Sequence, residues 1–250
     1  MKFEIVSRYL ARVYMKDPRS TPVLMRLAAD LAEKAGMSDS QPSLVNDYDV
    51  ATGEVSQGCV LTSSDQTWLV KLTGESFDVQ VSQGYNVATR AHLHAPSFQG
   101  YLKRVRELFE VGMSLVAVKP HRIAVVQSGV LARAEGKATS LEAVRSQLMR
   151  FPSVGEGVPF EWNWRGAWKI TRQFGDRSEV TNTIASVRLA DVAHVERLGE
   201  RLVVELDINT DPIDPTPRFS MEEVLAFVSE SEGWHAQLAE ALATHAGIES

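Results

Sequence analysis

The chain has 250 residues, 44% of them hydrophobic and 23% charged, a composition that supports a buried core and excludes disordered, collagen-like and fibrous architectures. Its 26 basic and 32 acidic side chains leave a net charge of −6, which opposes non-specific attraction to nucleic acid and to anionic membranes. The one cysteine, Cys59, excludes an internal disulfide and a thiolate metal cage; no apolar run reaches the ~20 residues of a membrane-spanning helix, and without an apolar leader the expected location is the cytoplasm.

Residues 1–14 alternate Phe3, Ile5, Tyr9, Ala11 and Val13 with Lys2, Glu4, Arg8 and Arg12, which predicts a strand with one buried face. Thr21 and Pro22 then mark a helix start, the hydroxyl capping free amides and the proline fitting the first turn. Leu24, Leu27, Ala28, Leu31 and Ala35 carry the helical repeat up to Gly36. Residues 38–53, with Pro42, Asp47 and Asp49, read as a loop. Beyond it, 55–62, 67–73 and 77–81 form a meander whose short polar links predict antiparallel neighbours.

Residues 97–112 predict a helix, because Phe98, Tyr101, Leu102, Val105, Leu108 and Phe109 fall on one stripe and Gly112 suits a left-handed C-cap. Strands follow at 114–118 and 122–131. Thr139 and Glu142 have capping-box spacing and open a short third helix. The glycine- and proline-rich segment 151–159 reads as a loop. Residues 160–174, 179–189 and 201–207 read as strands, followed by a proline-rich corner at 211–217. Ser220 and Glu223 again have capping-box spacing, and Gly233 is placed to bend or divide the helix they begin.

This order predicts an α+β fold in which antiparallel sheets are each covered by amphipathic helices, with a half at 1–135 and a half at 136–250, the alternative being one continuous domain, and an element order that suggests internal duplication. The two parts divide charge unevenly: residues 1–125 carry +1 and residues 126–250 carry −7, which makes the second either a solvated acidic face, as scattered carboxylates usually are, or a surface for a basic partner.

The aromatic strand is the most unusual local feature. Phe160, Trp162, Trp164, Trp168 and Ile170 share parity, so an extended strand presents them on one face, unless Arg165 and Gly166 turn the chain into a hairpin. With Arg165, Lys169 and Arg172 nearby, the indoles are candidates for stacking on bases or on a planar ligand; the competing expectation is a strand buried against helices. His92 and His94, two apart, form a candidate metal pair in need of a third ligand such as His121 or Asp207. Lys103, Arg104 and Arg106, with Arg90, form a candidate phosphate-facing helix edge. Asp207, Asn209 and Asp211 resemble the start of a calcium loop, but Pro212 and Arg218 occupy its glycine and glutamate positions, which leaves a strand end with turn-capping carboxylates. The sequence has no phosphate-binding loop, dinucleotide fingerprint or nucleophile elbow, and Cys59 reads as a buried, inert thiol.

The run Thr67-Trp68-Leu69-Val70-Lys71-Leu72 leading to Phe77-Asp78-Val79-Gln80, the helix with Tyr101 and Phe109, the strand from Arg122 to Val126, and the closing strand Leu202 to Asp207 with a helix bearing His235 resemble a sporadically distributed family of bacterial proteins of about this length. The resemblance implies an accessory protein or interaction partner in mobile or defence gene neighbourhoods. The reading that follows is a non-catalytic, cofactor-free interaction protein, such as an antitoxin, immunity or defence-complex subunit, holding a protein partner. A nucleic-acid-binding module or metal-dependent nuclease, and a small-ligand sensor with an aromatic pocket, are the alternatives.

Overall fold

A computed structural model describes residues 3–16, 19–37, 39–48, 55–64, 66–83, 85–86, 91–92, 94–131, 141–148, 162–191 and 200–248. In chain order these form β1 (Phe3–Tyr14), α1 (Thr21–Lys34), β2 (Ser43–Tyr48), β3 (Val55–Thr62), β4 (Trp68–Thr73) and β5 (Ser76–Val81). The two-residue strands β6 (Tyr85–Asn86) and β7 (Ala91–His92) precede α2 (Phe98–Val116), β8 (Arg122–Leu131) and α3 (Leu141–Leu148). Then come β9 (Asn163–Phe174), β10 (Arg177–Asp191), β11 (Glu200–Thr210) and α4 (Met221–Ala246).

Nine strands form one sheet in the order β2-β3-β4-β5-β1-β8-β11-β10-β9, and every neighbouring pair is antiparallel. This replaces the expectation of one sheet per half: β1 and β8 hydrogen-bond to each other, with Tyr9 opposite Gln127, Ala11 opposite Val125 and Val13 opposite Ile123. Each of the two strands would otherwise present an unpaired edge, and their pairing removes both.

One parity of the sheet supplies the core. Ala11, Val13, Phe77, Val79, Ile123 and Val125 join Val204, Leu206 and Ile208 in a single cluster with buried residues of α1, α2 and α4. From the helices come Leu24 and Leu31, Val105 and Phe109, and Phe227 and Val228. Tyr101 is fully buried at this seam, and its hydroxyl donates to the Val79 carbonyl at 2.7 Å, so the polar tip is satisfied. Leu10, Ala124, Val126 and Val130 have the other parity and lie outside that cluster, although each is buried.

Several local expectations are corrected by tertiary contacts. Gly112 does not end α2: a Cβ there would be driven into the Phe77 ring, so glycine is needed for the close approach of α2 to β5. The helix runs on through residues expected to be a strand, and Ala117 closes it in the left-handed conformation with φ 54°. Gly233 lies inside an uninterrupted α4, with no non-local atom within 4 Å of its Cβ direction. The expected loop at 38–53 contains β2, an edge strand paired with β3. The N-cap of α1 is Ser20, not Thr21, and has no side-chain cap bond. The capping box at Ser220 and Glu223 is present, with backbone-to-side-chain bonds of 2.7 and 3.2 Å. Thr139, Arg90, Phe160 and the loop at 151–159 lie outside the described residues.

Candidate functional site

The aromatic strand runs straight through Arg165 and Gly166 as β9, so the alternative hairpin does not form. Trp164, Trp168, Ile170 and Arg172 alternate onto the side that faces α4, whereas Arg165 and Lys169 take the opposite side. Of the three cations read as companions of the indoles, Arg172 alone shares their face. Trp162 precedes the strand and is buried, and its carbonyl accepts the Leu189 amide at 3.1 Å.

The facing wall comes from α4, where Trp234, Leu238, Ala241, Leu242 and His245 recur at helical spacing. Between the walls lies a groove of about 490 Å³, floored by Thr183 and Ala185 of β10. That size falls within the ~300–1,000 Å³ range typical of small-molecule sites. Gly166 makes the aromatic wall sterically feasible: a Cβ there would run into the Trp168 ring and lie 2.9 Å from the Trp164 ring. The two indoles tilt together with centroids 6.3 Å apart, and Trp168 remains 45% exposed.

Among the described residues, Arg172 is the one Lys, Arg, Asp or Glu lining the groove. Its guanidinium lies 4.7 Å above the Trp234 ring, and Nη2 donates to Thr183 Oγ1 at 3.2 Å. Nε is buried with no hydrogen-bond partner among the described residues. Burial lowers the Arg172 pKa. Its cross-strand neighbour Glu179 is bound instead to Arg177 and Arg218, at 3.5 and 3.4 Å. At the other end of the groove, the His245 ring centroid lies 6.3 Å from that of Trp164.

A second polar assembly lies on the other parity of the central strands. Arg12 clamps Asp78 through bonds of 2.7 and 2.5 Å, Arg8 meets Glu205 at 3.2 Å, and Arg122 donates to Asn209, which donates to Asp207. Both Arg12 and Arg122 stand over the Tyr14 ring. Burial opposes the Arg12 charge, but the hydrogen bonds and charge of Asp78 outweigh it and raise the guanidinium pKa. Burial raises the Asp207 pKa, partly offset by the Asn209 hydrogen bond. Asp207 lies within β11, and beyond the strand end Asp211 accepts the Ile213 amide and Asp214 the Thr216 amide.

The remaining candidates are dispersed. His92 pairs with Tyr85 through the β6–β7 backbone, His94 is exposed, and no cluster of three or more His, Cys, Asp or Glu side chains suited to a metal occurs among the described residues. Lys103 and Arg106 are exposed on α2, whereas Arg104 binds Glu107 and the Ala35 carbonyl, tying α2 to the end of α1. Cys59 is buried with its thiol donating to the Leu24 carbonyl at 3.3 Å, and burial pushes its pKa up to about 11. Sequence reasoning missed the α4 wall: Trp234, Leu238 and Leu242 announce a helix, but their spacing does not say which strands that helix faces. No protein-family model and no curated protein matches this sequence. Among the described residues, no helix is long and apolar enough to cross a membrane.

Proposed function

We propose that the chain is a binding protein that takes a small, apolar, flat molecule into the groove between β9 and α4. The observation that carries this reading is the aromatic groove itself: three tryptophans line it, and glycine at 166 leaves the space that the Trp164 and Trp168 rings require. A strand that served only the core would have no need to leave Trp168 and Ile170 exposed at 45% and 38%. The test is titration with N-phenyl-1-naphthylamine, a neutral probe whose emission rises in apolar surroundings. Saturable binding with quenching of tryptophan emission is expected, weakened at least about fivefold by Trp168→Ala. Absence of saturable binding to the folded wild-type chain removes this reading.

A second reading, a macromolecular partner on the other face of the sheet, is favoured by the polar assembly centred on Arg12 and by the exposed cations Arg165, Lys169 and Arg188 on β9 and β10. It includes the antitoxin, immunity or defence-complex role. A partner captured from the native host should be lost on charge reversal of Arg165 and Arg188, and retention with normal folding would count against this face. Internal duplication belongs to the same proposal: with the edge strand β2 and the two-residue strands β6 and β7 set apart as additions to the first half, β1-α1-β3-β4-β5-α2 matches β8-α3-β9-β10-β11-α4, with amphipathic helices over each half and with β1 and β8 meeting at the centre.

A further inference from the structure

Resting on the groove reading above, we propose that the ligand is an apolar organic monoanion, an aromatic carboxylate or its equivalent, whose charged group docks on Arg172. In a chain of net charge −6, the described lining of the groove holds one arginine and no aspartate or glutamate. That arginine is incompletely satisfied: Thr183 accepts from Nη2, and the buried Nε has no partner among the described residues. The nearest candidate counter-ion by strand register, Glu179, is drawn away by Arg177 and Arg218.

A guanidinium left without a carboxylate in partly desolvated surroundings gains most from an incoming anion, because a charge-assisted bond is stronger there than in water. The Trp234 ring, 4.7 Å from Cζ, and the bond to Thr183 restrain the guanidinium, so less side-chain freedom is lost when its terminal Nη groups meet a carboxylate. Trp164 and Trp168 then line one side of the apolar body's path, and Leu238 and Leu242 line the other. The site thus sorts ligands by a charge at one end and a flat hydrocarbon body beyond it.

The test compares 2-naphthoate with 2-naphthamide, which share a ring system and differ in charge, by calorimetric titration of the full chain. Wild type should bind the carboxylate at least about tenfold more tightly. Arg172→Met should bring the two affinities within about twofold, while Arg172→Lys should keep a preference for the anion. Equal affinities in wild type, or an undiminished preference in a folded Arg172→Met protein, overturn the anion assignment and leave the groove reading standing. Binding of neither compound, together with failure of the neutral naphthylamine probe, overturns both.

Discussion

At one end of the sheet, α1 lays Leu24, Ala28 and Leu31 over β3 and β4, and the Cys59 thiol reaches the Leu24 carbonyl across a dry contact. At the other end, β9 and β10 meet α4 along a groove, and α3, a helix of 8 residues against the 14 of α1, packs on the C-terminal part of the chain's last helix. The strands that α1 seals bury Cys59, Leu61, Val70 and Leu72, whereas β9 turns Trp164, Trp168 and Arg172 into the groove. One end of the sheet is thus closed by its helix, and the other is left with an open groove.

The largest expected effect tests that contrast directly. Leu31 is 2% exposed, and Leu31→Ala should lower unfolding free energy by about 2–5 kcal/mol, from lost burial and the cavity left behind. Trp168→Ala removes a larger side chain that is half in solvent, and should cost about 1 kcal/mol or less. Urea titration of both variants, read by circular dichroism, checks the ranking. A Trp168→Ala loss as large as that of Leu31→Ala would mean that both ends are structural.

The next effect is a pH dependence carried by α4. His235 is buried against Phe98, with Nδ1 donating to the Ser231 carbonyl at 2.8 Å, and burial pushes its pKa down to about 4. In the unfolded chain the imidazole titrates near its ordinary value of about 6.5. Between those two values the unfolded chain binds a proton that the folded one does not, so stability falls as pH drops from about 6.5 to 4. The full loss is up to about 3 kcal/mol. Burial also lowers the His121 pKa, so the contribution of His235 is read from the difference between wild type and His235→Phe. Equal pH slopes for the two proteins across this window would refute a neutral, buried His235.

Much of this architecture was legible in the sequence. The limits of β3 follow from the short polar link beyond it, those of β8 from a run of branched apolar residues after Pro120, and the α4 start from Ser220 and Glu223, because those signals are local. Parity on β9 also placed Trp164, Trp168 and Ile170 on one face, whereas Trp162, read with them, precedes the strand and is buried. What local pattern does not contain is the partner of each face. The Arg12–Asp78 clamp joins residues 66 apart, and the groove joins β9 to a helix whose aromatic and leucine positions look like any core stripe. Arg172 was visible beside the tryptophans, but its isolation from carboxylates depends on where Glu179 turns.

Two of the helix glycines, Gly112 and Gly233, make the same point and give the smallest predicted effects. Both sit inside helices where alanine is favoured by local propensity, by roughly 0.8–1 kcal/mol. At Gly112 the added methyl would be driven into the Phe77 ring, which is itself held edge-on against Phe109 with centroids 5.1 Å apart. Overpacking there should outweigh propensity, and Gly112→Ala is expected to destabilise by about 1–3 kcal/mol. At Gly233 the Cβ direction is open, so propensity acts unopposed and Gly233→Ala should stabilise by about 0.5–1 kcal/mol. Thermal unfolding of the pair settles the matter by sign alone. If both substitutions stabilise, α2 does not approach β5 as closely as described, and if both destabilise, the last helix is not continuous through residue 233.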